Sequence, residues 1–163
     1  MIIRKISLAL LLCLLLASHA SAESQFKPFV SGSLAEIEQH YADQAFILSF
    51  WSIDCPPCIK ELALIQQTLV NHTDMNIVLI STDQINSSAQ AFKILEQFSL
   101  TEVDNWMFAD DFVERLRYEV DPNWTGSIPQ AYFYLPRQPR QGVAGALDEK
   151  HITGWLAQSN KHH

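Results

Sequence analysis

Cysteine is scarce in this chain: three residues in 163, of which Cys13 sits in an apolar N-terminal stretch and only Cys55 and Cys58 stand further on. No second Cys-x-x-Cys accompanies that pair, and the one close histidine pair, His162-His163, is at the chain end. The four-ligand inventory of a structural zinc site is therefore missing, and no metal or other cofactor is expected. Basic residues are also few, 11 Lys and Arg against 18 acids, and nowhere clustered. A formal charge of −7 without a basic patch argues against nucleic acid or anionic lipid as a partner. After the N-terminal stretch no apolar run is long enough to cross a bilayer. There is no repeat, no low-complexity segment and no linker that would divide the chain.

The N-terminus reads as a secretory leader. Arg4 and Lys5 precede an uncharged apolar stretch, Ile6 to Ala17, and Ala20-Ser21-Ala22 satisfies the small-x-small cleavage rule. The apolar stretch is short for a permanent anchor, which needs about 20 residues. Cleavage is expected after Ala22, with Ala20 the next best position; there is no twin-arginine pair, so general secretion is the simpler route. Leu10-Leu11-Leu12 before Cys13 lacks the small residues of a lipoprotein signal. Residues 1–22 are thus a signal peptide and 23–163 one domain of ordinary size. Loss of Arg4 and Lys5 takes the formal charge from −7 to −9. The expected product is an exported acidic domain with one cysteine pair.

Along that domain, Glu23 to Lys27 reads as a loose lead, and Ser33 with Glu36 as a capping box opening a helix to His40. Ala45 to Trp51 and Asn76 to Ser81 are short apolar runs of the kind buried on both faces of a sheet. Between them Cys58, Leu62, Ile65 and Leu69 recur on one face of a helix. Residues 45–81 are therefore a parallel strand–helix–strand crossover. Asn86-Ser87-Ser88 is expected to cap a helix to about Phe98. Trp106 to Ala109 reads as a short strand, and Asp110-Asp111 as the start of a helix to Tyr118 or Val120. Ala131 to Leu135 is an aromatic-rich strand. Arg137 to Gln141 reads as a turn, Gln141 to Ala144 as an edge strand and Asp148 to Gln158 as a closing helix. The alternation indicates α/β with a central sheet.

The position of the cysteine pair points to redox chemistry. A static disulfide across two residues closes too small a loop to stabilise much. Cys55 falls after a buried strand and at a helix start, where free N–H groups and the helix dipole favour a thiolate. Cys58, one turn in, is placed to resolve a mixed disulfide formed at Cys55. Pro56 and Pro57 occupy the first turn, where a missing N–H costs little.

Phe50-Trp51-x-x-x-Cys55-Pro56-Pro57-Cys58 followed by Lys60-Glu61 resembles the TlpA/ResA-like branch of the thioredoxin superfamily. A second motif is Ser127-Ile128-Pro129 before a strand, about 70 residues after Cys58, which resembles the superfamily's cis-proline loop. The resemblance implies a thioredoxin-like fold, a central mixed β-sheet flanked by helices. It also implies an exported or membrane-tethered enzyme, with Ile128 and Pro129 holding the substrate backbone as an added strand. Glu61 takes the place of an acid that moves protons at the buried sulfur, the bland alternative being an exposed helix glutamate. Trp51 is either a lid beside Pro56 at the site or plain core. Two features depart from the pattern: thioredoxins proper keep an aspartate where this chain has Ser49, and no proline follows Glu61. Trp124 before the cis-proline loop either packs or shapes the substrate groove.

The leading function is a periplasmic dithiol reductant of protein disulfides, such as those of apocytochrome c or copper-site proteins. Cys55 attacks, Cys58 resolves, Glu61 carries the proton, and a membrane electron donor re-reduces the pair. The same chemistry run backwards would make an oxidase or isomerase of exported proteins. A Cu(I)-binding module is the reading from another class, with Met75 and Met107 too scattered to support it. A monomer is expected.

Overall fold

The computed structural model describes residues 25–160. The expected leader and its cleavage site, Cys13, His162 and His163 lie outside them. In chain order the elements are β1 (Lys27–Phe29), α1 (Ser33–His40), β2 (Phe46–Trp51), α2 (Pro56–Asn71) and β3 (Asn76–Gln84). A 3-10 turn (Ile85–Ser87), α3 (Ser88–Gln97), β4 (Asp104–Phe108), α4 (Val113–Val120), β5 (Gln130–Tyr134), β6 (Gln141–Ala144) and α5 (Glu149–Ser159) follow.

The six strands form one sheet in the order β1-β4-β3-β2-β5-β6. β1, β4, β3 and β2 run parallel, while β5 and β6 are antiparallel to their neighbours. The sheet is therefore mixed, as expected. All six residues of β2 are buried, and the pleat divides them. Ile47 and Trp51 join a core with α2, α3 and α5, through Leu62, Ile65, Ala91, Leu95, Ile152 and Trp155. Phe46, Leu48 and Phe50 join the opposite core with Leu34 and Ile37 of α1 and Leu116 and Val120 of α4. An apolar run without alternation is what a strand covered on both faces requires. Each fully buried large side chain there contributes about 1.5–3 kcal/mol.

Local expectations differ from the structure at several points. Ser33 does not cap α1. The N-cap is Gly32 at φ 89°, where a side chain would be strained, and it makes no side-chain cap. The Ser33 hydroxyl instead accepts from Val30 N–H at 3.0 Å, and Glu119 of α4 accepts from Gly32 N–H at 3.1 Å. A distant carboxylate thus does the work expected of Glu36. The supposed loose lead gives way to β1, whose three residues pair with Trp106, Met107 and Phe108. Asp110 lies before α4 rather than in it, accepting from Phe112 N–H at 2.9 Å and pairing with Arg115 at 2.6 Å. Ser87 stands at the N-cap of α3 without a side-chain cap. By contrast Asp148 caps α5 in a reciprocal box with His151.

Candidate active site

β2 ends at Trp51, three residues follow outside any helix or strand, and Cys55 becomes the N-cap of α2. Pro56 and Pro57 are the first two helical residues and have no N–H. The first amide of the helix able to donate is that of Cys58, and it donates to Cys55 Sγ at 3.3 Å. No acid stands in the first turn to oppose negative charge on that sulfur. Cys55 and Cys58 form a disulfide with Cα atoms 5.2 Å apart. Cys55 is 6 % exposed and Cys58 1 %, so Cys55 is the more accessible residue of the two. Pro56 is exposed beside it.

β3 runs past Ser81, where it was expected to stop, and its pairing with β4 shifts register between Ser81 and Gln84. The irregularity turns Asp83 onto the segment before Cys55. Its carboxylate accepts from Ile53 N–H at 2.9 Å, Ser52 Oγ at 3.0 Å and Ser81 Oγ at 2.8 Å. Thr82 Oγ1 donates to the Trp51 carbonyl at 3.3 Å. Asp83 was not singled out in the sequence; the polar Ser-Thr-Asp-Gln closing an apolar strand is the signal that could have marked it.

Glu61 lies on the buried face of α2 with Cys58, Leu62 and Ile65, and is 2 % exposed. It is not the exposed helix glutamate of the bland alternative. Ser49 Oγ donates to Oε1 at 2.5 Å, and Leu147 N–H, just before α5, donates to Oε2 at 2.7 Å. Burial pushes the Glu61 carboxyl above the usual range, opposed by the Ser49 and Leu147 hydrogen bonds and by the charge of His151. Ser49, the departure at the aspartate position, is thus a partner of the acid.

The Ile128–Pro129 peptide is cis. Phe50 of β2 faces Gln130 of β5, so Trp51 and Pro129 stand at the same end of their paired strands, beside the segment leading to Cys55. Ile128 is half-buried against both cores, and Pro129 is buried. Trp124 packs on Phe50 with ring centroids 4.5 Å apart, and its Nε1–H donates to the Ser127 carbonyl at 2.8 Å. It therefore packs and braces the loop from behind. Trp51 is 1 % exposed and shares one core with both cysteines, its indole N–H without a partner. Cys55, Cys58, Glu61 and the Ile128–Pro129 loop are gathered at one end of the sheet, while Trp51 belongs to the interior. Among the described residues, no group of three or more His, Cys, Asp or Glu side chains is arranged to hold a metal. None of their helices is long and apolar enough to cross a membrane.

No protein-family model matches the chain, and no curated protein matches it. Solved structures do. A secreted disulfide oxidoreductase of Mycobacterium tuberculosis, homologous to E. coli DsbE, is 20% identical with a TM-score of 0.57, over 74% of this chain and 85% of that one. A thioredoxin-related protein from Neisseria meningitidis serogroup B is 21% identical with a TM-score of 0.60, over 76% and 90%. StoA from Bacillus subtilis is 21% identical with a TM-score of 0.52, over 70% and 83%. At these identities the likeness is one of fold, and this chain has the thioredoxin-like fold.

Proposed function

We propose that the protein is an exported, periplasmic thiol–disulfide oxidoreductase that works as a dithiol reductant of protein disulfides. The observation that carries this reading is the Cys58 N–H aimed at Cys55 Sγ at a helix start whose first two residues are prolines. A fixed donor aimed at a sulfur favours the thiolate, the form that attacks a disulfide. Its likeness to a secreted disulfide oxidoreductase supports both the chemistry and export.

The Cys55 thiolate attacks one sulfur of the client disulfide; a Cys55–client bond forms, and the other client sulfur leaves as thiolate. Cys58 gives its proton to the Glu61 carboxylate and attacks Cys55 Sγ. The Cys55–Cys58 bond forms, the Cys55–client bond breaks, and the second client sulfur leaves with the electron pair. Two electrons pass from the pair to the client, and a membrane electron donor must return them. The client segment lies over Pro56 and pairs with the Ile128 backbone beside Pro129, while Trp51 supports the site from the core. Apocytochrome c and copper-site proteins are the proposed clients, and the working unit is a monomer.

The test is the reduction potential of the pair, measured by equilibration with dithiothreitol or glutathione. A value near or below that of thioredoxin, about −270 mV, is expected. A value near that of the strong periplasmic oxidants, about −120 mV, would reverse the direction and make the protein a disulfide donor.

A further inference from the structure

The two partners of Glu61 are chemically unlike. The Leu147 N–H can only donate, so Oε2 must offer it a lone pair whether the carboxyl is charged or neutral. The Ser49 hydroxyl can donate or accept. It donates to Oε1 when Glu61 is a carboxylate, and after a turn about its C–O bond it accepts from Oε1–H when Glu61 is an acid. Ser49 is 1 % exposed and Glu61 is the one acid in the buried class among the described residues. Both side chains are out of contact with bulk solvent. Ser49 faces Ala131 across the β2–β5 pair, which supplies no competing polar group.

We propose that Ser49 is a positioning residue that makes Oε1 the proton-carrying oxygen of Glu61. Its hydroxyl reverses between donor and acceptor as the carboxyl changes state. Protonation then costs neither oxygen its hydrogen bond and needs no rotation of the group, which the Leu147 N–H would resist. The surroundings limit what else titrates with it. Cys58 lies one turn earlier on α2, and α5 contributes His151, with Asp148 capped against it. On that face of the sheet Ser49 is flanked by Ile47 and Trp51 and paired with Leu79 and Ala131, none of which titrates. The inference deepens the reading of Glu61 as the acceptor for the Cys58 proton and, for its kinetic consequence, rests on it. The Cys58 proton would move to Oε1, Ser49 would turn to accept it there, and the Cys58 thiolate would be free to attack Cys55 Sγ.

The test labels the glutamate side-chain carboxyl with carbon-13 and follows the Glu61 titration by NMR in the oxidised protein, with Ser49→Ala and Ser49→Thr beside the parent. The Ser49 bond to the carboxylate is charge-assisted and stronger than its bond to the acid, so Ser49→Ala should move the midpoint to higher pH; Ser49→Thr keeps the hydroxyl and should restore it. An unmoved midpoint in Ser49→Ala overturns the proposal. A second measurement needs no variant: the Ser49 hydroxyl proton resonance of the parent protein should move through the Glu61 midpoint. A resonance indifferent to that titration overturns the proposal as well. The pH profile of mixed-disulfide resolution separates the two ideas. If the Glu61 midpoint shifts in Ser49→Ala while the resolution profile stays, the Ser49 coupling stands and Glu61 is not the acceptor for Cys58.

Discussion

Asp83 accepts the Ile53 N–H at 2.9 Å across the junction between β3 and the segment that delivers Cys55. Ser52 Oγ donates to the other carboxylate oxygen, so one side chain holds the third and second residues before Cys55. The irregular pairing at the end of β3 is what lets it reach them. Replacing Asp83 with Ala takes the acceptor from a half-buried N–H and from the Ser52 and Ser81 hydroxyls, and should cost about 1–3 kcal/mol. Urea unfolding measures the loss. Asp83→Asn keeps one acceptor oxygen and should lose less; equal losses would mean that charge rather than the hydrogen bonds holds the loop.

The two cysteines should behave differently. Cys55→Ser is expected to abolish turnover, because Cys55, the more exposed of the two, is the proposed attacking residue. Cys58→Ser should instead trap covalent complexes with client proteins, visible on a non-reducing gel. Capture by Cys55→Ser and none by Cys58→Ser would exchange the two roles.

Glu61→Gln should slow resolution of the mixed disulfide near neutral pH more than it slows the first attack. Rates of resolution that match the parent from about pH 6 to 9 would remove Glu61 from proton transfer. The substitution suits the pocket, since the amide oxygen can accept from Leu147 N–H while the amide nitrogen donates to Ser49.

Glu61 also predicts a pH dependence of stability. Its carboxyl is raised in the folded protein, so the native state holds that proton more tightly than the unfolded chain. The unfolded chain then binds fewer protons, and stability falls as pH rises from the ordinary glutamate range through the folded value. Glu61→Gln should remove this part of the slope in denaturant titrations of the oxidised protein. A parent whose stability rises across that window faster than the variant's would have the sign reversed.

Trp51 separates packing from contact with the client. Trp51→Ala should cost about 3–5 kcal/mol as a buried large-to-small change. Trp51→Phe should cost less and leave capture of clients by the Cys58→Ser protein intact. Loss of capture with stability retained would make Trp51 part of the client surface.

Much of the architecture is legible along the chain, because both-face burial leaves an unbroken apolar run. Ala45 to Trp51 and Asn76 to Ser81 announce β2 and β3 in this way, and the spacing of Cys58, Leu62 and Ile65 marks the buried face of α2. β1 is not legible. Three residues containing a proline carry no periodicity, and only the exposed edge of β4 makes them a strand. The capping box at Ser33 has the right letters but is overridden, since Glu119 arrives from α4 to bind Gly32 and Ser31. A local motif cannot register a competitor 87 residues away.

The site divides along the same line. The sequence by itself determined where the cysteine pair falls, since two cysteines around two prolines after an unbroken apolar run place a sulfur at a helix start. It also determined that few other groups compete for the chemistry. Only the tertiary structure decided the surroundings of the pair: that Glu61 is buried, that Ser49 and Leu147 hold its two oxygens, and that Asp83 braces the approach to Cys55. The physical reason is register. Which face of β2 receives Ser49, and what α2 and the start of α5 set against it, follow from strand pairing and helix docking across long separations, and no local spacing encodes them.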